Sequence, residues 1–511
     1  MDRKKGILNV SASIASRVLL LAAALLVRRL LIRYVGNDVN GLNSLYTSII
    51  GMLAVAELGV GSAISYSMYK PIVEGNKDKI AALYRLYQRA YRIIGGIILT
   101  AGLAVMPFLP GMISDYSELT VNVYLTFGLL LVSVVLSYLY GAKTSLIEAY
   151  KDNYITTGIL TACRLIQYGL QAVVLIAFRS FSLFLVCQIA ETLLAWGMTE
   201  IVARKKHGDI LALRIRADQD TRREIGKNVR AMMMHHIGGV MVNTVDSVII
   251  SAFVGVAMLG KYSNYALIAS VMAGTISLFF TPLVSVIGHL CAEGDREKIK
   301  RHFECFYFLN YVLGVVFFLG YYALIDQMVR LCFGAGLEVS RTVSFIITLD
   351  GFIKFMRKST LLFRDASGTF YYDRWKPIVE GIVNLGLSLL FVQTFPEEYR
   401  VAGVIAATII TSLLICHIVD PYVVYKHVFD QSVKEYWLRN YAYMGLFVIA
   451  LLMLAYLEAD RLIVNGMIAL GIVTAILGIV TVVDRAFVRR QLALFTHQLF
   501  DTVSRSKRMR K

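Results

Sequence analysis

Charge is scarce in this sequence. Only 17% of its 511 residues are Asp, Glu, Lys or Arg, against 57% hydrophobic. A soluble globular domain carries about 25% charged residues and cannot hide so much apolar surface. Cysteine is sparse too. Cys163, Cys187, Cys291, Cys305, Cys332 and Cys416 are scattered through apolar stretches with no CxxC or Cys/His spacing. They read as small buried hydrophobes, which excludes a disulfide framework and a metal site. No GxxxxGK[ST] phosphate loop occurs, so the chain does not use ATP itself. Neither GxSxG nor HExxH occurs, and the reading is a non-enzyme without a cofactor.

Long apolar runs are abundant. Fourteen fall near 11–34, 43–69, 89–110, 121–142, 154–178, 182–203, 228–254, 262–290, 303–332, 342–363, 375–394, 401–425, 437–457 and 462–484. Runs of about 20 apolar residues span a ~30 Å hydrocarbon core. The first run carries Arg17 inside it and outlasts a secretory signal, so it reads as a retained helix. With the N-terminus in the cytoplasm, inside segments hold 41 of the 52 lysines and arginines and outside loops hold five. That bias is the positive-inside pattern and places both termini in the cytoplasm. The net charge of +17 is therefore a topology signal, helped by anionic lipid, and nucleic acid is not a partner.

The string KPIVEG occurs at Lys70–Gly75 and again at Lys376–Gly381. The first copy follows the second helix and the second opens the eleventh, positions that no duplication of these helices makes equivalent. A spacing of 219 residues is more informative. It lays YVGNDVNGLNSLY (34–46) on FVGVAMLGKYSNY (253–265) and EGNKDKI (74–80) on EGDREKI (293–299). Helices 1–6 thus repeat as 7–12, with 13 and 14 appended. The expected fold is an all-α integral membrane protein of about 14 transmembrane helices, two pseudo-symmetric six-helix lobes plus two C-terminal helices. The expected domains are an N-lobe (1–203), a basic cytoplasmic linker (204–227), a C-lobe (228–436), and 437–511 for the last two helices and a basic cytoplasmic tail. Parallel repeats of this kind put a transporter's substrate site at their interface.

The stretch ELGVGSAISYSMYKPIVEGNKDKI (57–80), preceded by YVGNDVNGLNSLY (34–46), resembles the opening of bacterial polysaccharide-export flippases of the Wzx type. These belong to the multidrug/oligosaccharidyl-lipid/polysaccharide exporter superfamily. The resemblance is specific over 34–92 and elsewhere rests on topology. It implies a flippase that turns an undecaprenyl-pyrophosphate-linked oligosaccharide from the cytoplasmic to the outer leaflet of the bacterial inner membrane. The glycan would be O-antigen, capsule or similar. It also implies a cationic cavity lined by the first, second, seventh and eighth helices. Membrane lipid and other glycan-assembly proteins are the expected partners.

Ionisable residues at membrane depth cost about 2.5–3.5 kcal/mol on insertion scales and are candidates for function. Arg17 and Glu57 work out to similar depth, as a structural salt bridge or as part of transport. Arg28 and Arg29 sit in the outer half of helix 1, where cations are disfavoured. Arg28 aligns with Ser247, beside Asp246. A guanidinium fork suits pyrophosphate or acidic sugars, with Asp246 competing or taking H⁺ or Na⁺. The alternative is that both arginines snorkel to the interface. Arg164 pairs by depth with Asp350, one turn from Lys354, as an ion-pair cluster or a transport site. His235-His236 are either proton-coupling groups or polar lining. Pro282, inside the expected helix 8, removes a backbone hydrogen bond, which can kink a helix, and is a candidate for gating. The rival reading is a cation-coupled multidrug antiporter of the same superfamily, kept open by Glu57, Asp246 and Asp350. A membrane glycosyltransferase or polymerase lacks room in the short outer loops.

Overall fold

The computed structural model describes residues 3–57, 60–215, 244–280, 283–457 and 462–491, with single residues at 218, 219, 223, 226 and 493. Every regular element among these residues is helical, and nine helical stretches among them are long and apolar enough to cross a membrane. The chain forms two compact units, residues 1–263 with 332–337, and residues 264–331 with 338–511.

The first unit contains α1 (Arg3–Tyr34), α2 (Asn37–Leu53) with a 3₁₀ turn (Ala54–Glu57), α3 (Val60–Glu74), α4 (Lys77–Val105), α5 (Val123–Ala149), α6 (Asn153–Phe178), α7 (Phe181–Ala212), α8 (Thr244–Phe253) and the start of α9 (Val256–Phe280). At 1.5 Å per residue, α5 and α6 are roughly 40 Å long, enough to cross the hydrocarbon core. Side-chain caps start three of these helices. Asn76, Asn122 and Ser180 accept from the backbone N–H of Lys79, Leu125 and Leu183 at 3.0, 3.0 and 3.3 Å, which satisfies donors that no helical carbonyl reaches. α5 packs along α4 and α7, and α1 packs along α6.

The second unit contains the rest of α9, then α10 (Leu283–Glu293), α11 (Arg296–Phe333), α12 (Arg341–Met356), α13 (Lys358–Ser367), α14 (Lys376–Thr394), α15 (Arg400–Thr411), α16 (His417–Val424), α17 (Lys434–Leu457) and α18 (Leu462–Val483). Its core is aromatic. Phe352 of α12 stacks on Phe447 of α17 at 3.6 Å, and Phe303 of α11 meets Phe363, Phe429 and Tyr436 edge-on or tilted at 5.3–5.7 Å. The appended helix α17 is therefore part of this core.

The 219-residue period is visible in the backbone. α2 and α9 begin at Asn37 and Val256, and α4 and α11 begin at Lys77 and Arg296. The glycines ahead of the first pair, Gly36 and Gly255, have φ of 128° and 121°, a region that side chains disfavour. Asp295 caps Lys298 N at 3.0 Å just as Asn76 caps Lys79. The KPIVEG copies differ in role. In the first, Lys70 and Glu74 form an exposed pair at the end of α3; in the second, Lys376 and Glu380 are buried at the start of α14.

Three runs expected as single helices are interrupted. The second crossing breaks at the 3₁₀ turn ending in Glu57, and the run 342–363 divides into α12 and α13 at Arg357. The run 401–425 is widened by π turns at Ser412–Cys416 and Tyr425–Phe429, on either side of α16. Interruptions at membrane depth are tolerated where neighbouring groups satisfy the freed backbone.

The compact units do not divide where the repeat does, because α8 and the first turns of α9 join the first unit. Their attachment is close. Asn37 Nδ2 donates to Ala257 O at 2.7 Å and Asn40 Nδ2 donates to Gly260 O at 3.2 Å. Val256 N donates to Asp115 Oδ1 at 3.0 Å, and Ser251 Oγ donates to Met112 O at 2.7 Å.

Candidate functional site

The arginines of α1 have different surroundings although they are adjacent. Arg28 is half-buried. It donates to the Ser263 hydroxyl, and its guanidinium lies 5.8 Å from the centroid of the Phe333 ring. Arg29 is exposed, as the ~100° step between neighbours on a helix requires. Arg28 is thus the one of the two that is turned into the first unit. Ser263 is held in turn, donating to Gly260 O at 2.9 Å. Asp246 is buried in α8 of the same unit, 5% exposed.

The expected Arg17–Glu57 pair does not form. Arg17 is exposed on α1. Glu57 is taken by two phenols, accepting from Tyr91 at Oε1 and from Tyr138 at Oε2, both at 2.7 Å. Equal depth was the basis for pairing them, but depth does not fix which way a helix face points. The phenols come from α4, which packs on the 3₁₀ turn and on α3, and from α5, which packs on α3. Behind Tyr91, Tyr87 donates to its hydroxyl at 3.1 Å, and Tyr87 also contacts Ser145 Oγ at 2.9 Å.

Arg164 and Asp350 find separate partners. Arg164 Nε lies 3.8 Å from Glu191 Oε1 and Nη1 donates to Gln167 at 3.3 Å. Arg164 and Glu191 line a cavity of about 280 Å³ with Ser133, Ser137, Gln188 and Thr192. Asp350 is met by Lys354 at 2.8 Å, one turn along α12, so this local pair is the part of the expected cluster that the structure contains. His235, His236 and Pro282 lie outside the described residues.

The largest charged assembly among the described residues lies outside the expected set. Asp420 of α16, fully buried, accepts from Lys376 Nζ at 2.5 Å and from Arg357 Nε at 3.1 Å. Arg364 Nη1 lies 3.9 Å from Asp420 and donates to buried Asp373 at 2.7 Å, while Arg357 Nη1 reaches Glu380 at 3.5 Å. Three buried or nearly buried cations thus face three buried carboxylates. Next to it, His417 meets Ile353 O at 3.1 Å and Asn440 at 3.3 Å. The six charges come from α13, α14, α16 and the segments flanking them. Asp373, Lys376 and Glu380 follow one another at three and four residues, but Asp420 comes 40 residues after them and Arg357 and Arg364 come before, so no motif betrays the set; the one signal was the number of charges in 354–376. It neutralises charge and ties four segments together, as a fastening between helices rather than an open binding surface. Among the described residues no group of three or more His, Cys, Asp or Glu is placed to hold a metal ion.

No protein-family model and no curated protein matches the chain. Solved structures do. The lipid II flippase MurJ in an inward closed conformation superposes with a TM-score of 0.63 at 13% identity, covering 93% of this chain and 99% of that one. An inward-facing multidrug resistance MATE family transporter of the MOP superfamily superposes with a TM-score of 0.55 at 13% identity, covering 78% of this chain and 96% of that one. The chain therefore has the fold of these multi-pass membrane transporters.

Proposed function

We propose that the chain is a flippase carrying an undecaprenyl-pyrophosphate-linked oligosaccharide from the cytoplasmic to the outer leaflet of the bacterial inner membrane, by alternating access. The observation that carries this reading is the extent of the likeness to a lipid II flippase, over 93% of this chain. The multidrug transporter's likeness spans 78% of this chain. The Wzx-type motifs at 34–46 and 57–80 narrow the cargo to O-antigen, capsule or a similar glycan. Arg28 is the residue assigned to the pyrophosphate or to acidic sugars. Its planar fork can hold two anionic oxygens and stays charged at any working pH. Both termini lie in the cytoplasm in this reading, with membrane lipid and other glycan-assembly proteins as partners.

The test is the sidedness of the lipid-linked oligosaccharide in cells depleted of the protein. Accumulation on the cytoplasmic face, relieved by the intact chain and not by Arg28→Ala, supports the flippase. An unchanged lipid-linked pool together with new sensitivity to cationic dyes would instead support a cation-coupled multidrug antiporter.

A further inference from the structure

The hairpin that joins α16 to α17 turns at the ends of two stretches, Glu397–Phe429 and Lys434–Leu457, each long and apolar enough to cross a membrane. It therefore stands at the boundary between hydrocarbon and water. A cavity of about 420 Å³ opens there, and Tyr422, Lys426, Asp430, Ser432, Lys434 and Trp437 are in its lining. The proposed function makes no use of it.

The charges of this lining do not cancel. Asp430, its one carboxylate, is held by Arg296 of α11, and the next residue, Gln431, donates to Glu297 of α11 at 2.5 Å. These bonds fix the hairpin to α11. Lys426 and Lys434 are exposed, and among the described residues neither meets a carboxylate. Lys426 Nζ donates to the Tyr422 hydroxyl at 3.0 Å and lies 5.3 Å from the centroid of that ring, a neutral partner that leaves its charge unbalanced. The Ser432 hydroxyl accepts from Lys434 N at 3.4 Å and keeps its own proton to give. The cavity thus offers two cations and a hydroxyl donor to an anion. An apolar row leads from it toward the membrane interior. Leu414, Ile418 and Tyr422 recur every fourth residue and are 64%, 38% and 43% exposed, so a hydrocarbon chain can lie along them.

We propose that this cavity binds the phosphate of an anionic phospholipid, whose acyl chains lie against Leu414 and Ile418. Basic pockets between membrane helices on the cytoplasmic side suit such headgroups, and the distribution of lysine and arginine places this hairpin on that side. Tyrosine and tryptophan are the side chains that sit at headgroup level, as Tyr422 and Trp437 do here. A free phosphate ion has the same charged oxygens but no use for the apolar row, so the row selects the lipid. A headgroup held there ties Lys426, just past α16, to Lys434, the first residue of α17.

The site is read with membrane lipid alone, so its failure and that of the flippase reading are separable. The chain has three tryptophans. Trp196→Phe with Trp375→Phe leaves Trp437, in the cavity lining, as a fluorescent reporter. The full-length protein in phosphatidylcholine nanodiscs would receive a rising share of phosphatidylglycerol or of phosphatidylcholine, each carrying a nitroxide near the top of an acyl chain. Half-quenching of Trp437 at a several-fold lower share of phosphatidylglycerol supports the site; equal curves for the two lipids overturn it. A lysine near the membrane surface is worth about fivefold in affinity for anionic lipid. Lys426→Gln and Lys434→Gln should therefore each cut the preference about fivefold, and Lys426→Arg should keep it. A preference that survives the loss of both lysines overturns the assignment. Inorganic phosphate in the buffer should leave the quenching unchanged; relief of quenching would mark a site for free phosphate and overturn the lipid. Should the tryptophan substitutions prevent folding, native mass spectrometry of the unmodified chain reads the same preference as retained phosphatidylglycerol, and equal retention of the two lipids overturns it.

Discussion

Gly41 of α2 and Gly260 of α9 meet backbone to backbone, each in the place of the other in the 219-residue repeat. A Cβ on Gly41 would stand 1.8 Å from Val256 O and 2.8 Å from Gly260 N, and one on Gly260 would stand 2.3 Å from Asn37 O. These obstacles are backbone, which cannot rotate away. Gly41→Val or Gly260→Val should therefore destabilise the protein by at least about 1–3 kcal/mol, the usual cost of overpacking. Gly158→Ala, where an added Cβ meets nothing within 4 Å, should not lower stability. Thermal unfolding in detergent distinguishes the two outcomes.

Arg28 and Arg29 should separate on substitution. Arg28→Ala is expected to reduce glycan export more than tenfold, and Arg28→Lys to recover only part of it, since a point charge replaces a fork. Arg29→Ala, at an exposed position, should stay within about twofold of the intact protein. Export is read from surface glycan in cells, with membrane abundance of each variant measured alongside.

The Asp420 assembly makes a strong claim about stability. Asp420→Asn leaves Lys376 and Arg357 buried beside a neutral amide and should cost about 3–5 kcal/mol. Pairing it with Lys376→Met should recover part of the loss. Glu397→Gln, which removes the 85% exposed partner of Arg400, should change stability by less than about 1 kcal/mol. A double-mutant cycle on melting temperature tests all three.

Tyr46 and Tyr265 occupy equivalent positions and are both fully buried. Tyr46 hydrogen-bonds Val123 O and the Thr126 hydroxyl at 2.9 Å, whereas Tyr265 donates to the carboxylate of Asp326. A bond to a charged group is worth about 1.5–3 kcal/mol and a neutral one about 0.5–1.5. Tyr265→Phe should therefore be the more destabilising of the two.

These residues also show what a sequence can convey. Gly36, Gly41, Gly75 and Tyr46 each have a counterpart 219 residues on, and helix starts and caps recur at that same spacing. Lys354 and Asp350 were legible because they lie one turn apart on one helix. The Arg17–Glu57 pair failed because depth along a crossing says nothing about its rotation. Asp420 stayed invisible because its partners come from helices separated in sequence, and so did the tyrosines around Glu57, spread over α4 and α5. Sequence conveys spacing along a helix well, and says little about which helix faces which.

The Asp420 assembly also has an order in time. The ribosome makes Arg357, Arg364 and Lys376 first, and Asp420 follows 44 residues after the last of them. Until then the three cations have only Asp365, Asp373 and Glu380 nearby. The late arrival is the carboxylate, and α16 can settle only by bringing Asp420 to charges already in place. An α16 that failed to bring Asp420 into place would leave Lys376 and Arg357 without the carboxylate that both of them meet.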